Sequence, residues 1–202
     1  MDPKEVEQIA ETVMDRIFVK LEASGRHVHV TKEQAITLFG HPLTRQRDLS
    51  QPGQFLARER VTVVGPKGKF ENVAVLGPER SEAQVEISLT DGKTLGFTPP
   101  VRLSGTVADT PGAVLVGLWG RVELPRGVIA ARRHIHMTPE DAARSGVRDK
   151  QVVKLQTYTD RPVIFGDVVV RVSPEYATYA HLDYDEANAC GFRNGSLGRI
   201  LP

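Results

Sequence analysis

What most constrains this chain is that it repeats itself. SGRHVHVTKEQAITLFG at 24–40 is echoed by AARRHIHMTPEDAARSG at 130–146, each with Arg-His-x-His, then Thr, then an acid, then Ala. A second echo follows in the same order. Phe70-Glu-Asn-Val73-Ala-Val75 matches Phe165-Gly-Asp-Val168-Val-Val170, and both runs then reach a proline, Pro78 and Pro174. Ordered echoes in both halves point to duplication of one structural unit, and two copies are too few for a long solenoid. The chain therefore has to build two similar units, with no low-complexity linker between them.

The residues between the echoes say what those units are made of. Valine runs recur at 61–64 (VTVV), 73–76 (VAVL) and 168–172 (VVVRV), and 18 Gly and 13 Pro punctuate the chain. Short β-branched runs bounded by Gly and Pro read as strands of a barrel or sandwich. GPKGKF at 65–70 lacks phosphate-loop spacing and reads as a hairpin turn. Helical patterns are expected only at 3–18, 32–39, 139–145 and 184–190. The first of these places Val6, Ile9, Ala10, Val13, Met14 and Ile17 on one apolar stripe.

Several function classes are set aside by composition. Lys plus Arg total 26 and Asp plus Glu 25, so the chain lacks the basic excess of a nucleic-acid binder. No window has the roughly 18 apolar residues of a membrane span, and the N-terminus has no uninterrupted apolar core to make a secretory signal. A soluble, cytoplasmic protein is expected. The one cysteine, Cys190, excludes a disulfide framework and a Cys-rich zinc finger. It reads as a packing residue, since nothing pairs it with a base.

Metal-binding capacity then falls on six histidines. On a strand, residues i and i+2 share a face. His27 and His29 can therefore present two imidazoles side by side, and so can His134 and His136. An exposed polar strand face copied by duplication is the plainer alternative. The offset that maps Phe70 onto Phe165 also carries Glu86, in QVEIS, onto His181, in YAHLD. An acid flanked by Val85 and Ile87 needs a cation or hydrogen-bond partner if its face is buried. Together the halves offer His, His, Glu and His, His, His. These nitrogen and oxygen ligands suffice for two divalent metals with open positions, the mark of a catalytic site. His41, before Pro42, lies outside the pattern.

A His-x-His followed by Glu33 or Glu140 also looks like a first cupin motif, which would make the chain a metal-dependent oxygenase or isomerase. Against that, Thr31 and Thr138 look like helix N-caps and Pro139 like a first helical residue, with Gly40 and Gly146 as stops. Glu33 and Glu140 then fall in the first helical turn, where acids suit the helix dipole. A non-enzymatic, metal-stabilised scaffold module is a third reading.

SGRHVHVT, GPERSEAQVE, PVRLSGT, RRHIHMTPEDA, VVVRVSPEY and HLDYDEANA, spread over residues 24 to 192, resemble the PduL-type phosphate acyltransferases (phosphotransacylases). The resemblance implies a mainly β fold of two similar small β-barrels with short capping helices. The domains would be 1–22, an N-terminal amphipathic helix and lead-in strand, then barrels at 23–129 and 130–202. The segment before the first His-x-His would join the second barrel. The implied activity interconverts short-chain acyl-CoA plus phosphate with acyl phosphate plus coenzyme A, acetyl or propanoyl. It implies two zinc ions, one held by Glu86, His134, His136 and His181 and the other by His27 and His29. Arg80 matches the family's phosphate-binding arginine, and Ser24 and Asn188 match positions of the CoA pocket. Ser104, in RLSG, matches a motif without a firm role. An arginine suits phosphate because its planar fork donates two hydrogen bonds. Arg26, Arg132 and Arg133 sit beside the histidines and read as structural, CoA-facing or catalytic. Expected partners are acyl-CoA, phosphate and acyl phosphate, with no nucleic acid and no membrane, in a homo-oligomer. The N-terminal helix either packs on its own chain or docks the enzyme in a bacterial microcompartment.

Overall fold

A computed structural model describes residues 2–201, apart from the side chains at 9–12, 15 and 16. The part of the expected apolar stripe at Ile9 and Ala10 lies outside the described residues. Of the rest, Val6, Val13, Met14 and Ile17 are exposed on the helix Pro3–Ile17. That helix starts on Asp2, whose side chain accepts from the Lys4 N–H, while the Glu5 side chain reaches back to the Asp2 N–H. Among the described residues no helix is long and apolar enough to cross a membrane.

The protein is mainly β and divides into two compact units, residues 1–24, 133–182 and 186–202 in one, and 25–132 with 183–185 in the other. The first unit is a closed six-stranded barrel, ordered Val19–Ser24, Tyr179–Asp183, His134–Met137, Ile164–Val172, Val152–Tyr158 and Leu197–Leu201. Its lead-in strand closes the barrel by pairing Val19 with Gly198. The second unit is a nine-stranded sheet that, among the described residues, is not closed by pairing. Each has its own apolar core, with Val28, Val75, Val85 and Leu115 central to the sheet and Ile135, Leu155, Val168 and Leu182 to the barrel.

The duplication is visible strand by strand. His27–His29 lies between Lys69–Gly77, which runs parallel, and Gln84–Glu86, which runs antiparallel. His134–Met137 lies likewise between Ile164–Val172 and Tyr179–Asp183. Even the register agrees. His27 pairs with Ala74 and Glu86, and His134 with the equivalent Val169 and His181. Asn72 and Asp167, at matching positions of the long strands, both adopt the left-handed region, with φ of +57° and +56°. Asn and Asp are the non-glycine residues that tolerate this best.

The helices after the histidine strands follow the expected chemistry. Thr31 caps Lys32–Phe39 through a reciprocal box with Gln34, and Gly40 ends it at φ +80°. Thr138 caps Pro139–Arg144, with Pro139 in the first turn. Tyr184–Ala189 also forms. One helix was not expected, Leu89–Leu95, capped by Ser88 with Asp91 and stopped by Gly96. It is the repeat counterpart of Tyr184–Ala189. The interior Gly92 weakens its local helical signal.

Candidate metal centre

Alternation along each histidine strand does two jobs. Val28 and Ile135 are completely buried in the apolar cores, while the histidines on either side of each share the opposite face. In the sheet unit this brings His27, His29 and Glu86 together. Glu86 Oε1 lies 3.4 Å from His27 Nε2 and 3.8 Å from His29 Nε2, and all three residues are buried. In the barrel unit the corresponding group is His134, His136 and His181. His136 Nδ1 and His181 Nε2 are 3.2 Å apart, and His134 stacks on His181 with ring centroids 4.9 Å apart. The six residues expected from sequence thus form two clusters. Glu86, linked to the barrel histidines by the resemblance, meets the sheet histidines within its own unit.

The donor chemistry fits a divalent metal. His27 Nδ1 faces the Gly25 carbonyl at 2.8 Å, and His29 Nδ1 faces the Leu76 carbonyl at 3.2 Å. Each carbonyl takes the proton on Nδ1, which leaves Nε2 on the Glu86 side as the nitrogen that can serve a metal once it carries no proton. His181 Nδ1 lies 3.3 Å from Glu22 Oε2, which leaves Nε2 for the cluster. A carboxylate behind a ligand histidine raises its basicity and fixes its orientation.

Electrostatics prepare two of the three donors of the sheet cluster in the same sense. Burial alone would raise the pKa of Glu86, but the adjacent His27 and His29 hold it well below the usual carboxylate range. Burial lowers that of His27, and the Glu86 carboxylate overcomes this and raises it. Burial, together with the positive charges of His27 and Arg80, holds His29 well below the ordinary imidazole value. Glu86 is thus held as an anion and His29 as a neutral imidazole, the forms that bind metal, whereas Glu86 favours the imidazolium of His27, whose Nε2 proton a metal would have to displace.

Arg80 stands at this cluster, its backbone fixed by an N–H to the Val30 carbonyl at 2.9 Å. Its Nη1 donates to Ser104 Oγ at 3.2 Å, and Ser104 Oγ donates to Glu86 Oε1 at 2.8 Å. Ser24 ends the lead-in strand, half-buried, and Asn188 is exposed on the helix Tyr184–Ala189. Neither belongs to a histidine cluster. His41 is exposed in its turn. Glu33 bonds the Thr31 hydroxyl in the first turn of its helix and Glu140 is exposed, so neither completes a cupin-type ligand set.

Arg26 and Arg133 prove to be repeat equivalents with one structural job. Arg26 grips Asp91 with two hydrogen bonds, at 2.7 and 3.1 Å, and lies 4.1 Å over the Phe70 ring. Arg133 grips Glu186 at 2.5 Å and lies 5.6 Å over Phe165. Each ties its histidine strand to an acid on the helix that follows the third strand of the repeat.

The family profile of phosphate propanoyltransferases matches residues 20–193. The chain belongs to this family. A phosphate propanoyltransferase of Enterococcus faecalis is 53% identical over 202 residues, covering 96% of each chain. One of Listeria monocytogenes is 51% identical over 97% of this chain and 93% of its own. One of Salmonella typhimurium is 44% identical over 96% and 95% respectively. Membership of the phosphate propanoyltransferase family makes this chain an acyltransferase and does not favour the cupin reading.

Sequence reasoning missed Glu22 and Gln84. Gln84 stands two residues before Glu86 and so shares its strand face, which was a usable signal. Glu22 carries no such mark, because its partner His181 is remote in sequence.

Proposed function

We propose that the chain interconverts propanoyl-CoA or acetyl-CoA plus phosphate with the acyl phosphate plus coenzyme A, using two zinc ions, one at each His-x-His pair. The observation that carries the zinc reading is the matched pair of three-donor clusters, with imidazole nitrogens already oriented from behind. Sets of two histidines and a glutamate, or of three histidines, leave a fourth position open. When bound, the metal supplies Lewis acidity for the thioester carbonyl and affinity for the leaving thiolate.

The protein's own residues do the rest. Arg80 receives phosphate through its planar fork, beside Ser104, and points one phosphate oxygen at the carbonyl carbon. The new C–O bond forms as the C–S bond breaks, and its electron pair leaves on sulfur as CoA thiolate. Ser24 and Asn188 contribute to the CoA pocket. No acyl group is held on the protein. In support, Cys190 is fully buried and burial raises its pKa, so it is a poor nucleophile. The same reading takes the enzyme to be a homo-oligomer, cytoplasmic or carried into a microcompartment by the helix Pro3–Ile17, whose exposed Val6, Val13, Met14 and Ile17 offer an apolar face.

Thiol release from propanoyl-CoA, measured with and without phosphate and after chelation, tests this reading. Activity should require phosphate, vanish on chelation and return with zinc. Phosphate-independent thiol release, labelled acyl groups retained on the protein, or full activity after complete metal removal would overturn it.

A further inference from the structure

Gln84 is 2% exposed, and its side-chain amide is engaged on every side that the site presents. Its Oε1 accepts the Gly105 N–H at 2.7 Å. That bond fixes which end of the amide is which, since an N–H can only face the oxygen. The Nε2 end is thereby aimed at the cluster, and donates to Glu86 Oε1 at 2.5 Å and to Ser104 Oγ at 2.9 Å. Ser104 in turn donates to Glu86 and accepts from Arg80. A chain of hydrogen bonds runs from the Gly105 backbone through Gln84 to both the carboxylate and the arginine.

We propose that Gln84 is a positioning residue that locks the Glu86 carboxylate and, through Ser104, the Arg80 guanidinium into one arrangement, so that metal and phosphate are held in a fixed mutual geometry. The proposal rests on the reading of Glu86 as a metal ligand and Arg80 as the phosphate ligand. A buried carboxylate without this clamp could rotate, and partners behind a ligand govern metal affinity almost as the ligands do. The other copy of the repeat underlines the assignment. Gln84 sits opposite His29, and its counterpart Tyr179 sits opposite His136. An amide stands only in the copy whose third ligand is a carboxylate that has to be held.

The test uses the full-length zinc-loaded protein with Gln84→Met, which keeps the volume and removes all three bonds, and with Gln84→Glu, which keeps the acceptor for Gly105 but loses the donors. Zinc affinity is read by chelator competition, and KM for phosphate and for propanoyl-CoA are read separately. Both variants should bind one zinc about 10–100-fold more weakly, with a raised KM for phosphate and an unchanged KM for propanoyl-CoA. Unchanged zinc affinity and unchanged phosphate KM would overturn the proposal, even where thermal stability falls. If Gln84→Met does not fold, Ser104→Ala decides, because it cuts the link from Gln84 to Arg80 and the hydroxyl's own bond to Glu86 but leaves Gln84 on Glu86 and on the Gly105 N–H. It should raise the phosphate KM by a smaller factor, and an unchanged value would count against the clamp. Glu86→Ala separates the two readings. If it too leaves zinc content intact, the ligand reading itself has failed, whereas loss of zinc in Glu86→Ala beside intact binding in the Gln84 variants refutes Gln84 alone.

Discussion

Opposite the first histidine of the motif, one copy of the repeat has Glu86 and the other has His181. The backbone is the same at both places, down to the parallel neighbour on the far side. The difference is where the negative charge sits. In the sheet unit the carboxylate is within the donor cluster, 3.4 Å from His27. In the barrel unit the cluster is made of three imidazoles, and Glu22 stands behind one of them. A metal bound by three neutral ligands keeps more of its charge than one bound by an anion. On the proposed two-zinc reading, the two copies would supply two sites of different electrophilicity from one plan. Other matched positions kept their chemistry. Arg26 with Asp91 and Arg133 with Glu186 are the same clamp, and Asn72 and Asp167 the same backbone kink. What the copies share carries the backbone, and on the proposed reading what separates them carries the reaction.

The strongest challenge to this comparison is to remove one ligand from each copy. His27→Ala and His134→Ala should each cost at least about a hundred-fold in kcat/KM, since loss of an outer partner alone costs about 10–100-fold. Each should also lower the zinc content of the purified enzyme. His41→Ala should change neither. A histidine variant of either pair that matched His41→Ala would show that its copy holds no functional metal.

Glu22→Gln tests where the charge sits. It retains an acceptor for His181 Nδ1 but removes the anion. Zinc affinity should fall by about 10-fold, at the lower end of the range for outer partners, while the circular dichroism spectrum stays that of the parent. Unaltered zinc affinity would mean that the three-imidazole cluster needs no charge behind it.

Much of this arrangement was legible in the sequence, because strand alternation and an internal repeat are both arithmetic. His27, His29, His134 and His136 follow from period two, and Glu86 and His181 from one offset applied to both halves. The capped helices at Thr31 and Thr138 follow from local chemistry. The helix Leu89–Leu95 was obscured by Gly92, although the offset that paired Glu86 with His181 also maps it onto Tyr184–Ala189. Arg26 and Arg133 were left open because their acids lie far along the chain, and an ion pair between distant residues leaves no local pattern. Closure was also hidden. Among the described residues only the barrel unit closes by strand pairing, and it does so by adding Val19–Ser24, a strand that lies almost wholly before the first echo.

The arginine clamps sharpen the division between scaffold and reaction. Arg26→Ala leaves the buried Asp91 carboxylate without its guanidinium, and stability should fall by about 1–3 kcal/mol. Arg133→Ala should cost about 1 kcal/mol, because the Arg133–Glu186 pair is partly solvated on both sides. Urea denaturation of the zinc-loaded protein measures both. Zinc content and KM for phosphate should not move in either variant. A change in zinc content would place these arginines in the site rather than behind it.

The smallest expected effect tests the repeat at its backbone. Asn72 and Asp167 adopt the left-handed region at equivalent points of the two long strands. An L-residue with a Cβ and no short polar side chain pays roughly 1–2 kcal/mol there, and glycine pays none of it but loses more chain entropy on folding. Asn72→Ala and Asp167→Ala should therefore each destabilise by about 1 kcal/mol, and the glycine variants should stay within about 0.5 kcal/mol of the parent. The informative quantity is the match between the two sites rather than either value. If the kink is inherited scaffold, the alanine-minus-glycine differences should agree at 72 and 167, because the backbone strain is the same and only the surroundings differ. A large difference at one site alone would mean that its side chain is held by something other than the φ angle, and the two copies would then differ in backbone as well as in ligands.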